Sequence, residues 1–124
     1  MKIVVLNRLD LKKYKSKYSN KLLIRVTSVS PLLELSDTYK KELTYFFDDS
    51  YENNLISIEE AKEIVKEIKN NYDEIVVSCD YGKGRSPAIA NAISDIFKAE
   101  FDIGLYPDLN LFVYTAIMKA FYAV

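Results

Sequence analysis

One segment of this chain limits its possible folds more than any other. It is a short β-branched run that leads directly into a glycine-containing loop and then into a helix. Residues 74–78 read Glu-Ile-Val-Val-Ser, which is the pattern of a short, buried parallel strand. Cys79 follows at the end of that strand. Ser86 is a natural helix N-cap, and Pro87 suits the first helical position because its missing N–H would have no partner there. The segment therefore predicts a strand, a tight loop and a helix.

The remaining predicted elements alternate along the chain in the same way. Strands are predicted at residues 3–6, 21–29 and 43–47, and a short helix is a candidate for residues 10–18. Ser57 and Glu60 have the spacing of a capping box, and they start a helix that ends at Asn70-Asn71. The last predicted helix follows Pro107, with Asp108 as its cap. This alternation predicts an α/β fold: one domain over residues 1–124, with a small, mainly parallel central sheet flanked by helices.

The composition excludes several kinds of chemistry. The chain has one cysteine and no histidine, so an internal disulfide, His-ligated zinc and Ser-His or Cys-His catalysis are all excluded. Its 17 Lys and Arg against 18 Asp and Glu argue against a nucleic-acid binder, which should show a basic excess. The apolar run near the start is too short for a signal-peptide core or a membrane span, so a cytoplasmic, non-membrane protein is expected.

The loop between the strand and the helix has the composition of an anion cradle. Gly82 and Gly84 can take positive φ and turn successive backbone N–H groups toward one point. The N-terminus of the following helix adds partial positive charge, and Arg85 offers parallel donors that match two phosphoryl oxygens. Cys79 lies at the base of this cradle, where these groups favour the thiolate, so it is the candidate nucleophile. Ser86 can donate a hydrogen bond to the sulfur.

The Cys-X5-Arg-Ser pattern at residues 79–86 resembles the signature of protein tyrosine and dual-specificity phosphatases, with Cys79, Gly82, Arg85 and Ser86 on the motif. The similarity, taken loosely, covers residues 22–121. It implies a dual-specificity phosphatase-like fold, a phosphocysteine intermediate, and no metal or cofactor. It also implies a catalytic aspartate about thirty residues before the cysteine; we choose Asp49, with Asp48 as the alternative. The implied phosphate-binding residues are Asp80, Tyr81, Gly82, Lys83, Gly84 and Arg85.

Three departures from the family pattern matter: Ser78, Asp80 together with Tyr81 at variable loop positions, and Lys83, which resembles the loop lysine of phosphoinositide phosphatases. Ser78 stands where the family usually has a histidine that holds the loop, and Asp80 would oppose thiolate formation if its side chain pointed inward. The expected substrate is a phosphorylated protein, with phosphotyrosine first and phosphoserine or phosphothreonine second, or a small phosphomonoester. The alternatives are a phosphate- or phosphoprotein-binding module with weak catalysis, a sulfurtransferase or arsenate reductase, and a phosphatase of RNA 5′-phosphates or phosphoinositides.

Overall fold

Four parallel strands form the central sheet of the protein. The computed structural model describes residues 1–123. The strands are β1 (Lys2–Asn7), β2 (Lys21–Val26), β3 (Lys41–Tyr45) and β4 (Glu74–Cys79), in the spatial order β1-β4-β2-β3. All of β4 is buried, as expected for a β-branched central strand with a neighbour on each side. The α/β class and the mainly parallel sheet that the sequence predicts are confirmed.

Helices cover both faces of the sheet. They are α1 (Arg8–Lys13), α2 (Ile58–Ile68), α3 (Arg85–Phe97) and α4 (Leu111–Tyr122), with a 3₁₀ turn at Ile103–Leu105. The larger core lies between one face and helices α2, α3 and α4, and it includes Ile24, Val77 and Ile89. On the other face, Leu23 and Val76 pack against Leu11 of α1. No helix among residues 1–123 is long and apolar enough to cross a membrane.

The predicted helix starts were right at α2 and wrong at α3 and α4. Ser57 caps α2 through the expected capping box with Glu60. The prediction that Ser86 caps α3 was wrong, because the helix begins two residues earlier than predicted, at Arg85, with Gly84 as its cap. The cap of α4 is Asn110, whose side chain accepts from the N–H of Val113, and not Asp108.

Three other boundaries differ from the prediction. β2 ends at Val26, not at residue 29, and α1 ends at Lys13, not at residue 18. β3 runs from Lys41 to Tyr45, two residues earlier at each end than predicted. Phe46 and Phe47 therefore belong to the loop after β3. That loop reaches the carboxyl edge of the sheet.

Candidate active site

The predicted site residues meet at the carboxyl edge of the sheet, around the end of β4. Cys79 is the last residue of β4 and pairs in register with Asn7 at the end of β1. On the other side of β4, β2 ends at Val26, which pairs with Tyr45 at the end of β3. Loops from neighbouring parallel strands converge at this edge, which is where ligands bind in open α/β sheets.

The sulfur of Cys79 faces the loop that follows it. Cys79 is buried, and its Sγ accepts a hydrogen bond from the N–H of Gly82 at 3.2 Å. Its Sγ also lies 3.0 Å from Oγ of Ser86. Ser86 is in the first turn of α3 and not at its cap, so its hydroxyl is directed to the sulfur and not to the backbone. The loop therefore bends around the sulfur.

The two glycines of the loop have different roles. Gly82 has a φ of +68°, as predicted, and this is the left-handed region that favours glycine. Gly84 has a φ of −116°, so the expected positive φ was wrong there. Instead, a Cβ on Gly84 would overlap the carboxyl group of Asp49, at 2.8 Å from both Cγ and Oδ1. The absence of a side chain at Gly84 thus makes room for Asp49.

Arg85 is buried and joins the loops that follow three strands. Its Nη1 donates to Oγ of Ser28 and to the carbonyl oxygen of Phe47, each at 2.9 Å. Its Nη2 donates to Oδ2 of Asp80 at 3.1 Å, and this ion pair is almost entirely buried. Nε of Arg85 is also buried and has no hydrogen-bond partner within residues 1–123. A buried N–H without an acceptor is costly, so a ligand oxygen at this point would be favourable.

The side chain of Asp80 is directed to Arg85 and to the two residues that follow β2. Its carboxylate accepts from Oγ1 of Thr27 at 2.6 Å, from the N–H of Ser28 at 2.9 Å and from Arg85. Burial alone would raise the pKa of Asp80, but these hydrogen bonds and the charge of Arg85 outweigh it and hold that pKa below its usual value. Asp80 is therefore ionised near neutral pH, and its carboxylate pairs with the guanidinium group of Arg85.

Asp48 and Asp49 lie on the loop after β3, and their carboxyl groups contact different partners. Asn54 closes this loop by accepting from the N–H of Asp48 and by donating from Nδ2 to the carbonyl oxygen of Phe46. Oδ1 of Asp48 accepts from Oγ of Ser28 at 3.1 Å. The carboxyl group of Asp49 lies over Gly84, as described above, and Oδ1 accepts from Nδ2 of Asn110 at 2.7 Å.

The remaining predicted residues are exposed on the loop or lie in the sheet. Tyr81 is 80% exposed, and Lys83 is exposed beside a hollow that it shares with Tyr106 and Asp108. Neither side chain makes a hydrogen bond to the sulfur or to Arg85 within the described part of the chain. Ser78, at the usual histidine position, is buried within β4 and pairs in register with Leu6 and Arg25.

Three residues of the site were missed by sequence reasoning: Thr27, Ser28 and Asn110. Thr27 and Ser28 directly follow β2, and polar residues at the carboxyl end of a predicted buried strand were a usable signal. Asn110 gave a weaker signal, because the local sequence does not distinguish an ordinary helix cap from one that also contacts a residue 61 positions away in sequence.

No protein-family model, curated protein or solved structure matches this chain. The resemblance to the phosphatases therefore rests on the sequence motifs of this chain, chiefly the pattern of residues 79–86.

Proposed function

We propose that the protein is a phosphatase that hydrolyses phosphate monoesters through a phosphocysteine intermediate. The observation that carries this proposal is that the loop after β4 turns back on the sulfur of Cys79, with Gly82 N–H and Ser86 Oγ within hydrogen-bond distance of it. Nε of Arg85, at the end of the same loop, is buried and has no hydrogen-bond partner among residues 1–123, which supports the proposal. Together these groups supply a nucleophile and donors for a tetrahedral anion.

In the first step, the thiolate of Cys79 attacks the phosphorus atom of the substrate. An S–P bond forms as the bond between phosphorus and the ester oxygen breaks, and that oxygen leaves with its electron pair. Loop N–H groups and Arg85 stabilise the charge that develops on the phosphoryl oxygens. Asp49, whose carboxyl group lies over the same loop, gives a proton to the leaving oxygen.

In the second step, water attacks the phosphocysteine. The carboxylate of Asp49 takes the proton of the water, the S–P bond breaks, and inorganic phosphate forms. The sulfur leaves as a thiolate, and the hydroxyl of Ser86, 3.0 Å from Sγ, stabilises it with a hydrogen bond. This cycle restores both Cys79 and Asp49.

The substrate proposed is a phosphorylated protein, with phosphotyrosine first and phosphoserine or phosphothreonine second. The proposed location is the cytoplasm, where thiols are kept reduced, because a nucleophilic cysteine has to remain a free thiol. A small phosphomonoester would satisfy the same chemistry around Cys79.

The direct test is hydrolysis of an aryl phosphate by the reduced protein without added metal. We expect turnover in the wild type and a loss on the order of 10⁴-fold or more in Cys79→Ser, because the nucleophile is removed. Arg85→Lys keeps the charge but cannot provide the fork of donors, so it should also lose most of the activity. Rapid quenching of Asp49→Asn with substrate should trap phosphate on Cys79.

Comparison of Asp49→Ala with Asp48→Ala separates the two candidate acids. Asp49→Ala should lower the rate on the order of 10²-fold or more and leave phosphate binding intact. A larger loss in Asp48→Ala would make Asp48 the acid. If the wild-type protein binds phosphate but shows no turnover that depends on Cys79, the protein is a binding module and the proposed function is wrong.

A further inference from the structure

Asn110 makes polar contacts with three different parts of the molecule. It is 1% exposed and caps α4, because its Oδ1 accepts from the N–H of Val113 at 3.2 Å. Its own backbone N–H donates to the carbonyl oxygen of Gly84 at 3.1 Å. Its side-chain Nδ2 donates to Oδ1 of Asp49 at 2.7 Å. One residue therefore contacts α4, the Cys79 loop and the candidate acid.

The contact with Asp49 is not needed for helix capping. A cap uses only a side-chain oxygen, which serine, threonine or aspartate also provides. Asparagine adds an N–H₂ donor next to that oxygen. In Asn110 the oxygen binds the helix backbone and the nitrogen binds the carboxylate, so both ends of the amide are used.

The same contacts fix Asp49 relative to the loop that holds the sulfur. Gly84 lies one residue before Arg85, and Asn110 binds its carbonyl oxygen while holding the Asp49 carboxyl group over it. A second contact joins the loop that carries Asp49 to the start of α4. In it, the N–H of Leu111 donates to the hydroxyl of Tyr51 at 3.3 Å. The loop that carries Asp49 is thus hydrogen-bonded to the cap of α4, Asn110, and to its first residue, Leu111.

We propose that Asn110 is a positioning residue that holds Asp49 in place as the proton donor to the leaving group. The inference rests on the proposed phosphatase function. With Oδ1 of Asp49 bound to Asn110, Oδ2 is the oxygen that faces the Gly84 side and remains to carry the proton. Without the amide donor, the carboxyl group can rotate away, and leaving groups that need a proton suffer most.

The test uses Asn110→Ser, which keeps a capping oxygen but removes the side-chain amide. We expect kcat/KM for phenyl phosphate to fall about tenfold or more, because phenol is a poor leaving group without a proton. For an aryl phosphate with a strongly acidic phenol, the fall should be less than about threefold. The inhibition constant for inorganic phosphate should stay the same, since Asn110→Ser removes only the side-chain amide that donates to Asp49 and keeps the backbone N–H that binds the carbonyl oxygen of Gly84.

Two controls separate positioning from a general loss of structure. Asn20→Ser removes an equivalent amide donor, to the carbonyl oxygen of Asn71, far from the site, and should leave the leaving-group dependence unchanged. In an Asp49→Asn background, Asn110→Ser should cost little further activity, because its effect acts through the missing acid.

The outcomes distinguish this inference from the proposed function. An equal loss for all leaving groups, or full additivity with Asp49→Asn, would mean that Asn110 only caps α4, and the inference alone would fail. A wild-type protein without turnover dependent on Cys79 would overturn the phosphatase function and the inference with it.

Discussion

Replacement of Gly84 by alanine should displace Asp49 and leave the fold intact. The new Cβ would lie 2.8 Å from Cγ of Asp49, where an ordinary contact is at least 3.4 Å. Because the obstacle is the end of a side chain on a loop, the carboxyl group moves and the backbone does not. The shift needed is about 1 Å once the atoms reach normal separation. That distance is enough to misalign a proton donor.

The expected cost to catalysis follows from this displacement. A misplacement of about 1 Å costs on the order of 10²-fold in rate, and a general acid supplies about 10² to 10⁴-fold in all. The cost to folding is small. Alanine at a negative φ stabilises by about 0.4–1 kcal/mol through the unfolded state, and the lost hydrogen bond between Asn110 and Asp49 offsets this by about 0.5–1.5 kcal/mol.

The assay compares kcat/KM for phenyl phosphate with the free energy of unfolding in urea. We expect a loss of about 10²-fold in kcat/KM with a stability change within about 1 kcal/mol. Gly104→Ala is the matched control, because its Cβ would also meet an aspartate oxygen, Oδ1 of Asp102 at 3.2 Å, but outside the site. Undiminished activity in Gly84→Ala, or an equal loss in Gly104→Ala, would refute this reasoning.

Two further predictions concern stability. The depressed pKa of Asp80 means that its contribution is complete above the ordinary aspartate pKa of about 4 and is lost as the pH falls through the folded-state value. The urea midpoint should therefore drop in acid, and it should drop less in Asp80→Asn. Near pH 7, Asp80→Asn should itself lower the free energy of unfolding by on the order of 2 kcal/mol, because it breaks a buried ion pair with Arg85. The phenol of Tyr45 donates to Glu63, and its pKa is raised by burial and by that carboxylate. Tyr45→Phe should therefore lower the free energy of unfolding in urea by about 1 kcal/mol. An unchanged free energy of unfolding would mean that this hydrogen bond is not made in solution.

The parts of the fold that the sequence predicted are those whose causes are local. The β-branched run of β4 and the capping box of Ser57 and Glu60 each specify an element within a few residues. Parallel pairing then follows from the alternation of strands and helices. The position of Cys79 at the end of β4 was predictable for the same reason.

The parts that were missed depend on contacts between segments distant in sequence. Ser86 was predicted both as the cap of α3 and as a donor to the sulfur of Cys79; its hydroxyl meets the sulfur, and Gly84 takes the cap position. Asp108 does not cap α4, because the N–H of Asn110 binds the carbonyl oxygen of Gly84 and the helix starts after Asn110, two residues later than predicted. Local sequence propensity cannot predict a hydrogen-bond partner that only the tertiary fold brings close.

The contacts of the two aspartates argue for a division of roles between them. Asp48 accepts from the hydroxyl of Ser28, and that same oxygen accepts from Arg85, so Asp48 belongs to the network that orients the guanidinium group. Within residues 1–123, the carboxyl group of Asp49 makes no hydrogen bond to that network; it lies over Gly84 and is held by Asn110. A carboxyl group committed to orienting a cation is poorly suited to exchange a proton in each cycle, because protonation would weaken the network. The separation of Asp49 from the hydrogen bonds that orient Arg85 is the physical reason to propose Asp49, and not Asp48, as the acid.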